Sequence, residues 1–221
     1  FPFKEALKGP EIAIIAEVKK ASPSKGLISR DFDYIKIARE YEEAGASAIS
    51  VLTEPYFFKG SNNFLMEISE NVSIPILRKD FTIDEYMIYE AKLLGASAVL
   101  LIVSILDDAQ LKEYLDLSHD LGLSAIVETH NANEIKTALD AGAEIIGVNN
   151  RNLADFTVDI ENSIRLRSLV GDDVVFISES GIKTKEDVTR LKENNVDAVL
   201  IGETLMRSED KKSMIFELKN G

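Results

Sequence analysis

The chain has 221 residues, of which 45% are hydrophobic, and it carries a formal net charge of −13 with no cysteine. That length buries one substantial core, as a barrel or as two small domains, and the absence of Cys excludes disulfides, thiolate nucleophiles and Cys-ligated metal centres. The acidic balance argues against nucleic acid or anionic membrane as partner, because such binding needs an excess of Lys and Arg.

Eight short apolar runs read as strands: Ala13–Glu17, Ala48–Leu52, Ile74–Leu77, Ala98–Ile102, Ser124–Glu128, Ile145–Val148, Val174–Ser178 and Ala198–Ile201. Between them lie amphipathic stretches, such as residues 34–43, whose apolar positions recur at helical spacing. Four related segments end a helix and start strands two, four, six and eight: Ala44-Gly45-Ala46-Ser47, Leu94-Gly95-Ala96-Ser97, Ala141-Gly142-Ala143-Glu144 and Asn194-Asn195-Val196-Asp197. The glycines suit the left-handed turn that closes a helix. Strand alternating with helix, repeated in units of two βα pairs, predicts a single (β/α)8 barrel over residues 1–221. An open doubly wound sheet shares the grammar, but no Gly-x-Gly-x-x-Gly follows strand one. No apolar run approaches the roughly 20 residues that cross a bilayer. The chain begins at Phe1 rather than Met, so the lack of a leader proves little.

In a parallel barrel, chemistry sits at the C-terminal ends of the strands. Those ends carry Glu17 and Lys19 on strand one, Lys79 on strand three, Glu128 on strand five, Asn149 and Arg151 on strand six, and Ser180 just after strand seven. Two Lys and two Glu converging on one cavity form an acid–base set, although each pair is also readable as a salt bridge closing the mouth. The loops Ser180-Gly181-Ile182 and Gly202-Glu203-Thr204 follow strands seven and eight, where such barrels cradle phosphate on backbone N–H groups. Ser22-Pro23-Ser24-Lys25-Gly26 can cover the same anion from strand one. Phe57, Phe58 and Phe81 flank strands two and three as core residues or as an aromatic wall for a flat substrate ring. His119 and His130 are read as surface or supporting residues, and no metal site is expected because Lys would compete with Mg²⁺ for the carboxylates.

At these residues the chain resembles the indole-3-glycerol-phosphate synthase family. The segments that carry the resemblance are Ile15–Gly26, Leu52–Ser61, Pro75–Phe81, Leu100–Ile102, Val127–His130, Ile146–Leu153, Ser178–Ile182 and Leu200–Met206, in order along almost the whole chain. The resemblance implies ring closure, decarboxylation and dehydration of 1-(2-carboxyphenylamino)-1-deoxyribulose 5-phosphate, in the cytoplasm, without cofactor or metal. It implies Lys79 as general acid for ring closure, Glu128 as its acid–base partner, and Lys19 as holder of the substrate carboxylate and an acid in the dehydration. Glu17 and Asn149 would orient these groups, with Arg151 and Ser180 near the site. Ser22, Gly181, Gly202 and Glu203 would surround the phosphate, and Phe58 and Phe81 the aromatic ring. The partner implied is a phosphorylated small molecule, with the chain a monomer or associated with other enzymes of tryptophan synthesis.

Two departures from the family stand out. Its longer N-terminal segment, with a helix over the barrel mouth, is represented only by residues 1–8. Glu203 sets a carboxylate beside the phosphate loop, so its side chain is expected to turn away. Two other readings are a phosphoribosyl isomerase, which would normally carry an Asp or Cys at strand ends one or five, and a non-catalytic binder, which should have lost Lys19, Lys79 or Glu128.

Overall fold

The structure, a computed structural model, describes residues 1–29, 31–152 and 155–219. Eight parallel strands close into a barrel: β1 (Ala13–Val18), β2 (Ala48–Leu52), β3 (Ile76–Lys79), β4 (Ala98–Ile102), β5 (Ser124–Thr129), β6 (Ile145–Asn149), β7 (Val175–Glu179) and β8 (Ala198–Ile201). β8 pairs back with β1, Ala198 opposite Ala13, which makes this a (β/α)8 fold. Six of the eight strands begin at the residue expected from the sequence. β3 starts two residues later than the expected Ile74, because Pro75 has no N–H to give a ladder and offers only its carbonyl, to the Ile49 N–H. β7 likewise runs one residue later than expected and ends on Glu179.

Helices pack outside the barrel, and six of them begin on side chains that satisfy their free N–H groups. α2 (Tyr34–Glu43) is capped by Asp33, α3 (Asn62–Ser69) by Ser61, α4 (Glu85–Leu93) by Asp84, and α5 (Asp108–Asp120) by Asp107 with a reciprocal bond to Gln110. Asn131 caps α6 (Ala132–Ala141), and Thr184 caps α8 (Lys185–Glu193), the latter reciprocally with Asp187. α7 (Glu161–Arg167), α9 (Glu203–Arg207) and α10 (Lys211–Lys219) complete the outer layer. The repeat residues Gly45, Gly95 and Gly142 take φ of 82°, 88° and 91°, and Asn195 fills the same left-handed role at 59°.

Successive side chains on a strand point to opposite sides, so each strand has an inward and an outward set. The inward set forms the inner core, which includes Ala13, Ile15, Leu77, Ala98, Leu100, Ile126, Ile145, Val175, Ile177 and Leu200. The outward set, such as Ile14, Ile49, Ile76, Val127, Ile146 and Phe176, packs under the helices. Residues 1–8, the part of the N-terminal segment present here, lie at the end opposite the mouth. There α1 (Pro2–Ala6) places the fully buried Phe3, with Leu7, in the inner core beside Ala13, Ile145 and Val175 at the strand beginnings. Lys4 anchors it to Glu144, just ahead of β6, at 2.8 Å. Two large apolar side chains close the floor because the narrow end of the barrel would otherwise expose its core.

Candidate active site

The inward parity that builds the core also decides which strand-end residues meet. Glu17 follows Ala13 and Ile15 on β1, Lys79 follows Leu77 on β3, and Glu128 follows Ile126 on β5. Asn149 follows Ile145 and Gly147 on β6, and Glu179 follows Val175 and Ile177 on β7. These side chains converge at the mouth. Lys79 Nζ lies 2.8 Å from Glu128 Oε2 and 3.4 Å from Glu179 Oε2, while Asn149 Nδ2 donates to Glu128 Oε1 at 3.1 Å. Lys19 Nζ lies 2.5 Å from Glu17 Oε1. The sequence assigns no role to Glu179, which lies within the segment Ser178–Ile182. It is 2% exposed and bonded to the central ammonium.

Three carboxylates and two ammonium groups share this low-dielectric mouth, so one negative charge is in excess. Burial would push the Lys79 ammonium down, but the carboxylates of Glu128, Glu179 and Glu17 outweigh it and hold the pKa above its ordinary value. Burial likewise raises Glu128, yet the Lys79 charge and the hydrogen bonds from Lys79 and Asn149 bring it below the usual carboxylate range. Glu179 absorbs the imbalance. Burial and the charges of Glu128 and Glu17 outweigh Lys79 and push it up to about 7. Its Oε1 is buried and has no hydrogen-bond partner among the described residues.

Two glycines make the room these groups need. A Cβ on Gly147 would stand 2.2 Å from Glu179 Oε1, and one on Gly202 would stand 2.2 Å from Glu17 Oε1 and 2.8 Å from Lys19 Nζ. Both glycines occupy inward positions, so the missing side chain is where the neighbouring carboxylate sits. The other loops gather around this centre. Ser22 is buried in a short hairpin after β1, and Lys25 in the same hairpin approaches Glu203 Oε1 at 3.8 Å. Arg207 Nε holds that carboxylate at 3.0 Å, so the Glu203 side chain runs back along α9. Ser180 and Gly181 follow β7 with left-handed backbone, φ 70° and 87°. The Ser180 carbonyl accepts from Asn150 Nδ2 at 3.1 Å.

The rim is tied down on the side of β2 and β3. The Glu54 carboxylate accepts the backbone N–H groups of Tyr56, Phe57 and Phe58 at 2.9, 2.7 and 3.0 Å. Phe58 and Phe81 face each other with ring centroids 6.3 Å apart, whereas Phe57 is largely exposed and stands outside the pair. Arg78, outward on β3, is buried and bonds Thr53 Oγ1, the Met87 carbonyl, Asn62 Oδ1 and Glu90 Oε2. It thereby fixes the chain immediately before Lys79. On the other side, Arg151 turns away from the barrel axis and donates to the Phe156 carbonyl at 3.2 Å. It lines a cavity of about 480 Å³ with Asn149, His130, Glu134 and Arg165. His130 is not a plain surface residue, being 17% exposed and wedged between Glu128 and Glu134. Among the described residues no group of three or more His, Asp or Glu is placed to hold a metal ion. Leu153, the last residue of one segment that carries the resemblance, lies outside the described residues.

A family model described as indole-3-glycerol phosphate synthase matches residues 1–218. The chain belongs to that family. Curated relatives of that name include one from Endomicrobium trichonymphae, 60% identical over 99% of this chain and 84% of its own length. Others are from Ruminiclostridium cellulolyticum, 58% identical over 99% and 84%, and Acetivibrio thermocellus, 52% identical over 98% and 84%. Among solved structures, 3-hexulose-6-phosphate synthase from Salmonella typhimurium superposes with a TM-score of 0.76 at 15% identity, covering 95% of this chain and 97% of that one. Thiamine phosphate pyrophosphorylase from Pyrococcus furiosus gives 0.68 at 15% identity, covering 96% and 95%. At such identity these two speak to the barrel fold alone.

Proposed function

We propose that the strand-end cluster carries the family's reaction, the decarboxylating ring closure of 1-(2-carboxyphenylamino)-1-deoxyribulose 5-phosphate to indole-3-glycerol phosphate in tryptophan synthesis. The observation behind this reading is Lys79 held between Glu128 and Glu179, which keeps a proton on the ammonium until a substrate carbonyl takes it. Lys79 protonates the ketone oxygen as the ring carbon that bears the carboxylate attacks the ketone carbon. Loss of CO₂ then restores the aromatic ring, which drives the step without metal or organic cofactor. In the dehydration Glu128 removes a proton from the carbon beside nitrogen while an ammonium, Lys19 or Lys79, protonates the leaving hydroxyl.

Lys19 holds the substrate carboxylate, and Glu17 keeps Lys19 in place, 2.5 Å away. Asn149 orients Glu128 from 3.1 Å. Glu179, with its unpaired Oε1, joins the polar groups that face the ribulose hydroxyls, beside Ser180. The phosphate lies against Ser22, Gly181, Gly202 and the backbone of Glu203, with Phe58 and Phe81 flanking the aromatic ring and Arg151 at the outer edge. The chain acts as one barrel domain and a monomer, in the cytoplasm, on a free phosphorylated small molecule. No helix among the described residues is long and apolar enough to cross a membrane. The direct test is turnover of the carboxyphenylamino-deoxyribulose phosphate, read as indole fluorescence. Absence of turnover in folded protein overturns the reading of the site.

A further inference from the structure

His130 lies two residues past Glu128, just beyond the end of β5, and its ring is clamped from the outer side. Nδ1 is 3.1 Å from Glu134 Oε2, which also accepts the His130 backbone N–H at 2.8 Å. Asn131 Nδ2 holds the other Glu134 oxygen at 2.6 Å, and Asn162 Nδ2 holds the His130 carbonyl at 3.1 Å. A carboxylate at Nδ1 selects the form with a proton on that nitrogen. Nε2 therefore faces inward. It is buried, has no hydrogen-bond partner among the described residues, and lies 3.7 Å from Glu128 Oε1. An unprotonated Nε2 would set two acceptors face to face, whereas one proton between them turns repulsion into attraction.

The proton balance of the family reaction gives this geometry a task. The substrate enters with a ring carboxylate and leaves as neutral CO₂, while the ketone oxygen departs as water. Ring closure places one proton on the ketone oxygen. Dehydration places one on the hydroxyl and releases one from the carbon beside nitrogen. Each turnover therefore takes up one proton from solvent. Lys79 gives its own proton first and is left as a neutral amine between Glu128 and Glu179, an arrangement that calls for recharging.

We propose that His130 is the proton entry of this site, acting on the chemistry through Glu128. The Nε2–H bond of the imidazolium breaks and an O–H bond forms on Glu128 Oε1. A half-rotation of that carboxyl group carries the proton to Lys79 Nζ, which faces the other oxygen at 2.8 Å. With the ring turned about Cβ–Cγ, Nε2 meets the adjoining cavity, where solvent returns the proton and restores the imidazolium. The charged groups around His130 favour this. The hydrogen bond to Glu134 and the charges of Glu128, Glu134 and Glu179 raise its pKa above the ordinary value, against the opposing effect of burial. Arg151, Asp159 and Arg165 also line the cavity, and Arg165 is paired with Asp159 at 3.0 Å.

The inference rests on Glu128 as the acid–base group, and the experiment separates the two ideas. Steady-state turnover rates are measured for the parent, His130→Ala and Glu128→Gln from roughly pH 6 to 9 with and without imidazole. For His130→Ala the expected result is a rate about tenfold or more below the parent at the alkaline end, a smaller deficit at the acid end, and saturable rescue by imidazole. A rate within about twofold of the parent at every pH overturns the proposal, and so does a deficit that imidazole leaves unchanged, the mark of a role in loop structure alone. Glu128→Gln should be inactive in every buffer. Parent-like activity of that variant removes Glu128 itself, and the relay with it, whatever His130→Ala does.

Discussion

The floor and the mouth of this barrel use the same inward positions of the same strands and hold opposite chemistry. Following β7 inward, Val175 and Ile177 belong to the apolar core, and Glu179, the next inward residue, is a buried carboxylate beside an ammonium. β1 makes the same change from Ile15 to Glu17, and β5 from Ile126 to Glu128. Phe3 and Leu7 seal the floor with apolar surface, which lets the chain store unfavourable charge at the other end. The lesson is a division of labour along one axis: stability is concentrated below and reactivity above. On β2 and β4 the last inward residues are Leu52 and Ile102, so apolar side chains alternate with the charged ones of β1, β3 and β5 around the mouth.

Substitutions at the two ends should separate these roles. Lys79→Met should lower kcat by about 10²–10⁴ while the folded structure survives, since the general acid is lost and the aliphatic stem is kept. Near-parent turnover would take Lys79 out of that role. At the floor, Phe3→Ala should cost about 3 kcal/mol in a denaturant titration. Its kcat should stay within about twofold of the parent, because the two ends are too far apart to couple. A large loss of kcat in folded Phe3→Ala protein would break the division.

Glu179→Gln tests the stored charge. The pKa of Glu179 in the folded protein, about 7, lies above the ordinary 4.5, so the folded state binds this proton more tightly than the unfolded chain. The stability it brings is complete below pH 4.5 and is lost as pH rises through 7. Glutamine cannot ionise, so the variant should melt roughly 2–4 °C above the parent at alkaline pH, with the gain disappearing in acid and activity reduced. A melting point below the parent at alkaline pH would mean that Glu179 stabilises Lys79 more than it costs. The smallest effect belongs to Glu203→Gln, whose partner Arg207 is half exposed. Thermal melts should place it within about 0.5 kcal/mol of the parent.

Much of this was legible in the residues. The βα repeat with Gly45, Gly95 and Gly142 announces the barrel, and the strand ends point to Lys19, Lys79, Glu128 and Asn149. Glu179 escaped because β7 begins one residue later than the apolar run suggests, yet Val175, Ile177 and Glu179 alternate in a way that reads as one inward face. Gly147 was a similar clue, since glycine at an inward position of an otherwise branched strand signals that a neighbour fills its space. The His130–Glu134 spacing of four residues hints at their contact, but the approach of Nε2 to Glu128 depends on how the chain bends after β5, which no local pattern encodes. The floor position of α1 is not legible, because an amphipathic octet carries no mark of which end of a barrel it covers.

The loop after β2 carries a consequence for how the rim discriminates. Three consecutive N–H groups, those of Tyr56, Phe57 and Phe58, converge on one point, the arrangement by which backbone concavities capture anions. Glu54 already occupies that point. The chain has supplied its own tethered counter-ion there, at an effective concentration that a dissolved phosphate does not match. An anion arriving at the mouth therefore finds this socket already filled, and the N–H groups of this loop are spent on holding the rim in shape.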